Sequence, residues 1–265
     1  MDTVSCVDVG ALLDWYERVR RPLPWRATRD PYALLVSEVM LQQTQALRVV
    51  PYYERWLEAF PDAVTLGEAP TREVLAHWSG LGYNRRALAL QNAAREVAAN
   101  GWPEDLTQLP GVGPYTAAAV GSFAFDRQVA AVDTNVRRVL SRRDGVLHTP
   151  RELGRRADEL LPPGRAATFN QAMMELGATV CRPRVPVCGD CPVASGCHGP
   201  LPAAPRRRGV VRFEDTDRWA RGRIVAALLA GEELPVHGER RERALAGLER
   251  DGLVVRGPDG SACLP

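Results

Sequence analysis

The stretch Gln108–Leu140 constrains the fold more tightly than any other part of the chain. It opens on a short turn, Leu109-Pro110-Gly111-Val112-Gly113, in which two glycines flank one apolar residue. Glycine adopts backbone angles that a side chain forbids, and it lets another backbone come close. Pro114 follows at a first helical position, where its missing N–H costs nothing, and Tyr115-Thr116-Ala117-Ala118-Ala119-Val120 continues the helix. Backbone N–H groups at such a helix start attract anions, so Gly111, Val112 and Gly113 form a candidate phosphate seat. Further on, the apolar run Val129-Ala130-Ala131-Val132 ends on Asp133. That carboxylate is either a cap for a helix over Asn135–Leu140, where Asp is favoured, or a reacting group.

Apolar spacing predicts further helices over residues 8–20, from Asp30 to about Thr44, and over Gln45–Phe60, Thr71–Trp78, Arg85–Asn100, Arg151–Leu160 and Phe169–Thr179. No strand pattern precedes residue 200, so the first 200 residues read as all-α, short helices joined by Gly/Pro turns. His198–Gly209 is rich in Pro and Arg and reads as a linker. Beyond it, helices over Asp217–Leu229 and Glu239–Arg250 precede two short strands, 253–256 and 261–264, around the turn Gly257-Pro258-Asp259-Gly260. That order suggests a small winged-helix-like appendix.

With 45% hydrophobic and 25% charged residues in 265, the composition is that of a soluble globular protein with a sizeable core. The start of the chain lacks a basic and apolar leader, and no run approaches the ~20 apolar residues of a membrane span. A cytoplasmic, soluble protein is expected. Net charge is only +2, but all 34 basic residues are arginine. Without lysine, Schiff-base chemistry on an ε-amine is excluded. Arg137, Arg138, Arg142, Arg143, Arg151, Arg155 and Arg156 crowd one segment, and Arg206, Arg207 and Arg208 another. Such clusters suit phosphate contacts or form solvated faces.

Four of the six cysteines read Cys181-x6-Cys188-x2-Cys191-x5-Cys197. In an intracellular protein that crowding argues for metal, either zinc or an iron–sulfur cluster, rather than disulfides. Cys6 and Cys263 stand apart as plain thiols, and the four histidines are too scattered to pair as ligands. In Ser37-Glu38-Val39-Met40-Leu41-Gln42-Gln43-Thr44-Gln45, Glu38 sits inside an apolar helix and a polar run follows. The run is a surface stripe, or else at least one of Gln42 and Gln43 lies near the core and needs a partner, which a nucleic acid can supply. A partly buried Glu has its pKa pushed up by desolvation, which suits a general acid.

E-V-M-L-Q-Q-T-Q, L-P-G-V-G-P-Y-T-A, V-D-T-N-V-R-R and the cysteine group, in this order and spacing, resemble the helix-hairpin-helix DNA glycosylases, specifically the MutY-type adenine glycosylases. The resemblance covers about residues 20–200, and Phe169-Asn170-Gln171-Ala172-Met173-Met174 belongs to that branch. It implies a two-lobed all-α fold: a helical barrel lobe with the hairpin over 24–134, and an iron–sulfur lobe from 1–23 and 135–199. A linker over 200–209 and a small domain over 210–265 would follow. It implies removal of adenine mispaired with 8-oxoguanine or guanine in double-stranded DNA, the adenosine being flipped into a pocket. Glu38 would protonate the adenine ring, and Asp133 would stabilise the oxocarbenium-like sugar, with Tyr115 and Asn135 close by. Trp25, Arg26, Leu41 and Gln171 match the adenine pocket. Gln43, Thr44 and Tyr83 match the duplex-contacting residues, with Tyr83 as a wedge, and Gly111, Val112 and Gly113 seat a phosphate. Cys181, Cys188, Cys191 and Cys197 would hold a [4Fe–4S] cluster.

Tyr115 stands where the bifunctional endonuclease III branch carries its attacking lysine, so the resemblance implies a monofunctional, monomeric, nucleoid-associated enzyme. A thymine-mismatch glycosylase of the superfamily shares that Tyr, so thymine or uracil mismatches are the rival substrates; a non-catalytic hairpin protein with structural zinc is the rival class. The chain departs from the family at Thr134, where many members have Gly, and at Asn84, where a second Tyr often follows the wedge. The Nudix-like C-terminal domain that helps to read 8-oxoguanine is replaced by about 60 residues of helix and hairpin.

Overall fold

The computed structural model describes residues 7–201, 212–258 and 260–265. The linker's Arg206–Arg208 cluster, Cys6 and the turn residue Asp259 lie outside the described residues. Among those described, helices dominate, and the sole sheet is a two-residue hairpin near the end of the chain. The contacts divide the chain into two units, Met1–Leu34 with Gly113–Pro205 and Leu35–Val112 with Arg206–Pro265.

The first unit holds α1 (Val9–Val19), the start of α2 (Pro31–Leu41), α7 (Pro114–Phe125), α8 (Thr134–Asp144), α9 (Pro150–Glu159) and α10 (Ala166–Thr179). Helix α10 packs against α1, α7 and α8. Leu12, Leu13 and Tyr16 of α1, Val136 and Leu140 of α8, and Phe169, Met173 and Leu176 of α10 form one buried cluster. Each such side chain contributes about 1.5–3 kcal/mol on burial. The α8–α10 crossing needs Gly177, because a Cβ there would lie 2.4 Å from the Cβ of Asn135. A mid-helix glycine costs about 1 kcal/mol, and this close approach offsets it. Helix α9 starts on a capping box, Thr149 with Glu152, and Pro150 at its first position.

In the second unit α3 (Ala46–Ala59), α4 (Ala63–Glu68), α5 (Thr71–Trp78) and α6 (Arg85–Asn100) follow the end of α2. Trp56 meets Phe60 and Trp78 edge to face, at centroid distances of 5.0 and 5.5 Å. Helix α4 went unanticipated: it is six residues long, holds Gly67 and shows little periodicity. Asp62 caps its start through Thr65 N at 2.8 Å. Gln91, buried in α6, closes its end by donating to the carbonyls of Leu66 and Ala69.

The tail has the expected order, α11 (Asp217–Ala230), α12 (Gly238–Arg250) and the hairpin β1 (Val255–Arg256) with β2 (Ala262–Cys263), paired Val255 to Cys263. Ala220, Ile224, Leu245, Leu248 and Leu253 are buried within it. It packs against α5, where Arg72 donates to the carbonyls of Leu228 and Leu229. By packing, the units part at 34/35 and 112/113, and the appendix groups with residues 35–112. Two causes are visible. Helix α7 belongs by packing with α10, and a core as small as the tail's gains by burying surface on a neighbour.

Candidate functional site

In the hairpin, Val112 N donates to Leu109 O at 3.1 Å and closes the turn. Gly111 carries φ +76°, and a Cβ there would meet Ala89 Cβ at 2.6 Å, so both conformation and packing demand glycine. Gly113 has φ −88° and open space around it, so neither demand applies there. Val112 buries its side chain, while Gly111 and Gly113 are exposed, so only backbone is offered to a ligand ahead of α7.

Glu38 is 5% exposed and lies in α2 among buried Val36, Ser37, Val39 and Met40. The helix ends at Leu41 and not at Thr44. Gln42 is therefore only half-buried and Gln43 exposed, contrary to the expectation that one would reach the core. Directions extrapolated from a continuing helix do not hold once the chain turns. Leu41 and Thr44 are half-buried, and Thr44 Oγ1 lies 3.4 Å from Gln42 O. Gln43 and Tyr83, at φ 57° and 49°, are left-handed without being glycine, a conformation costing roughly 1–3 kcal/mol that collects at functional sites.

Arg86, unremarked in the sequence, organises both turns. Its Nη1 donates to Val39 O, Met40 O and Gln42 O at 2.7, 3.2 and 2.7 Å, closing the end of α2. Its Nη2 donates to Gly82 O at 3.0 Å. Burial, then the neighbouring Arg218, pushes its pKa down to about 10.

In the first unit, Asp133 caps α8. Oδ1 accepts from Asn135 N at 2.8 Å and Val136 N at 2.7 Å, and Oδ2 accepts from Asn135 Nδ2 at 2.6 Å. Desolvation by burial still holds the carboxyl above the ordinary range, against those donors and Arg138. Cap and reacting-group readings are therefore compatible. Tyr115, half-buried, directs its hydroxyl to Met174 Sδ at 4.0 Å.

Trp25 is buried in a single turn, Pro24–Arg26. Arg26 and Gln171 belong to a polar cluster that the sequence did not reveal. Tyr16 Oη donates to Gln171 Oε1 at 2.6 Å. The fully buried Glu175 takes Arg21 Nε and Nη2 at 2.8 Å each and Arg26 Nη2 at 2.7 Å. Burial alone would raise the pKa of Glu175, but Arg21 and then Arg26 outweigh it and hold the carboxyl down. The signal was present in outline, since Glu175 stands in the run Ala172-Met173-Met174-Glu175-Leu176, as isolated as Glu38.

All four cysteines line one cavity of about 110 Å³, with Arg142, Val180 and Pro186 among the other walls. Among the described residues no three His, Cys, Asp or Glu side chains close on a point as a single ion requires. Burial, then the neighbouring sulfurs, pushes the Cys191 thiol up, so a thiolate there needs a compensating cation. Arg142 Nη1 and Gly199 N each lie 3.4 Å from a sulfur, Cys181 and Cys197 respectively.

In the arginine-rich segment Arg138, Arg142, Arg143 and Arg156 are engaged by protein groups. Arg142 donates to Arg182 O and Pro183 O, Arg143 to Val193 O and Ser195 O, and Arg138 to Cys181 O and Gly177 O, stapling the cysteine loop to α8. Arg156 pairs with Asp144 at 3.2 Å. Arg137, Arg151 and Arg155 remain exposed. Arg138 also donates to Asn135 Oδ1 at 2.8 Å, so hydrogen bonds run from Asp133 through Asn135 and Arg138 to Cys181.

The proposed residues are thus divided. Asp133, Asn135, Tyr115, Trp25, Arg26, Gln171, Gly113 and the cysteines lie in the first unit; Glu38, Leu41, Gln43, Thr44, Tyr83, Gly111 and Val112 lie in the second.

Residues 36–163 match the HhH-GPD superfamily of base excision DNA repair proteins. An adenine DNA glycosylase of Mycolicibacterium smegmatis is 42% identical over 96% of this chain and 94% of its own length. The adenine DNA glycosylase of Homo sapiens is 44% identical over 71% of this chain and 38% of its own. Among solved structures, a thermostable thymine-DNA glycosylase superposes with TM-score 0.67 at 33% identity, over 71% of this chain and 93% of that one. Endonuclease III trapped on DNA has the same fold, with TM-score 0.63 at 24% identity, over 71% of this chain and 92% of that one.

Proposed function

Because the chain belongs to the adenine DNA glycosylases of the HhH-GPD base excision repair superfamily, we propose that it removes adenine mispaired with 8-oxoguanine or guanine from double-stranded DNA. The observation that carries the chemical reading is Asp133: a half-buried carboxylate met by hydrogen-bond dipoles rather than a paired cation, with its pKa held up by desolvation. A group in that state responds to positive charge that develops beside it.

In the proposed reaction the target adenosine leaves the base stack. Glu38, buried in α2, donates a proton to a ring nitrogen of the adenine and makes the base a leaving group. The C1′–N9 bond breaks, its electron pair going to the base. The Asp133 carboxylate stabilises the cationic sugar until water adds at C1′ and loses a proton. Division of labour between two carboxyls requires one to be protonated and one charged. Trp25, Arg26, Leu41 and Gln171 would line the adenine pocket, and Gln43, Thr44 and Tyr83 would engage the duplex. The exposed backbone of Gly111 and Gly113 would take a phosphate. No lysine stands after the hairpin or elsewhere, so strand scission through a lysine Schiff base is not expected. The enzyme is proposed to act as a monomer on nucleoid DNA.

We assign Cys181, Cys188, Cys191 and Cys197 to a [4Fe–4S] cluster, which when bound would cross-link the loop that Arg138, Arg142 and Arg143 hold against α8. Four sulfurs bordering one cavity supply the thiolate donor set that such a cluster takes. Yellow-brown colour with stoichiometric iron and sulfide is the expected result; a colourless zinc protein would overturn it.

The likeness to a thymine-DNA glycosylase keeps thymine as the second reading. Single-turnover base release across A·8-oxoguanine, A·G, A·C and T·G duplexes separates the two. The adenine reading expects release from the first two, with strands uncut until alkali is added. Release confined to T·G, or direct strand cutting, contradicts it.

A further inference from the structure

Tyr83 and Arg218 come from segments far apart in the chain, yet within the second unit they form one object. Arg218 Nη1 donates to Tyr83 Oη at 2.6 Å, and the guanidinium carbon stands 3.5 Å from the ring centroid. The same guanidinium lies 5.6 Å from the ring of Phe213. Phe213 is 53% exposed and Tyr83 37%, and Arg218 itself is exposed. Two exposed aromatic rings gathered about one guanidinium suit stacking against bases. The charge balance points the same way. Arg86 lies 5.6 Å from the Tyr83 ring, and among the described residues neither Arg86 nor Arg218 has a carboxylate partner within ion-pair distance. Like charges held together without a counter-charge suit a polyanion. Glu214, Asp215 and Asp217 sit at the start of α11, where the helix dipole accounts for them.

We propose that the C-terminal module completes the duplex-binding surface, with Arg218 as a positioning residue that holds the Tyr83 ring and Phe213 as a second ring about the same guanidinium. The proposal rests on the reading of Tyr83 as the residue that enters the duplex. The left-handed backbone of Tyr83, φ 49°, sets where its side chain starts, and Arg218 sets where the ring lies. A ring fixed before binding loses less freedom on binding. The tail thereby acts on DNA recognition and leaves the chemistry to the rest of the chain.

The test is a double-mutant cycle in the full-length protein with Arg218→Met, Tyr83→Ala and both together. Fluorescence anisotropy reads affinity for a labelled duplex carrying an abasic tetrahydrofuran site opposite 8-oxoguanine. Single-turnover adenine release at saturating enzyme reads the chemical step. Arg218→Met is expected to weaken binding about tenfold with the saturated release rate and the Tm unchanged. In the Tyr83→Ala background the same change should cost less than about twofold. Wild-type or tighter binding by Arg218→Met, or losses that simply add, overturns the proposal and leaves the role of Tyr83 standing. Wild-type binding by Tyr83→Ala overturns that role and the proposal with it.

Discussion

Glu175, fully buried in α10, and Asp133, half-buried at the N-cap of α8, are two carboxylates of one unit, and they meet opposite surroundings. Glu175 is matched by full charges: Arg21 and Arg26 engage both its oxygens, and its pKa is held down. Asp133 is matched by dipoles: two backbone N–H groups and one amide, with Arg138 bound to Asn135 rather than to the carboxylate. Burial keeps its pKa up. A fully compensated carboxylate is a strut, fixing α10 against the Arg21–Arg26 segment. An incompletely compensated one retains a field that a cation forming nearby can use. Desolvation alone does not separate the carboxylate proposed to act on the sugar cation from the structural one; the nature of their partners does.

The contrast breaks most visibly at Asp133. Asp133→Asn should lower single-turnover adenine release by about 10³-fold or more, while Tm stays near wild type because Asn also caps helices. Release near the wild-type rate would reduce Asp133 to a cap. At Glu175 the effect should fall on stability. Glu175→Gln leaves Arg21 and Arg26 without their counter-charge and should cost about 3–5 kcal/mol, read by denaturant unfolding; an unchanged midpoint would end the strut interpretation.

The same contrast has a sign in pH. Glu175, with a lowered native pKa, stabilises the fold above the ordinary glutamate range, and that contribution is lost as pH falls through its native value. Asp133, with a raised native pKa, binds a proton more readily folded than unfolded, so its contribution runs the other way. If its charged form is the working form, adenine release should fall on acidification while pH is still above the ordinary aspartate range. Asn135→Ala removes a donor that lowers that pKa, so the acid limb should move to higher pH; a limb that stays put would detach it from Asp133. The smallest effect is expected from Tyr16→Phe, which deletes the hydrogen bond to Gln171 and should cost about 1 kcal/mol of stability, with the pH profile intact.

The parts written in local sequence were legible. Helix periodicity, Pro114 and the Gly111 turn, the tail's helices and hairpin, and the crowding of Cys181 to Cys197 all act over a few residues. The features that escaped are long-range or below the length at which periodicity speaks. Glu175 looks like any stray carboxylate until Arg21 and Arg26 are brought to it across about 150 positions. Arg138, Arg142 and Arg143 look like a charge run until the cysteine loop folds back over α8. Gly177 has no local cue, because its reason is Asn135 on another helix. Helix α4 is too short to carry a pattern, and the stop of α2 at Leu41 depends on Arg86 from α6. The roles proposed for Glu38 and Asp133 rest on a resemblance, whereas the contrast between Asp133 and Glu175 emerged only from their partners.

The most direct test of the account is adenine release by Glu38→Gln from an A·8-oxoguanine duplex under single-turnover conditions, with duplex affinity measured on the same preparation. Loss of release with affinity retained is expected, since the variant keeps the shape of the side chain and removes its acidic proton. Release at the wild-type rate would contradict it.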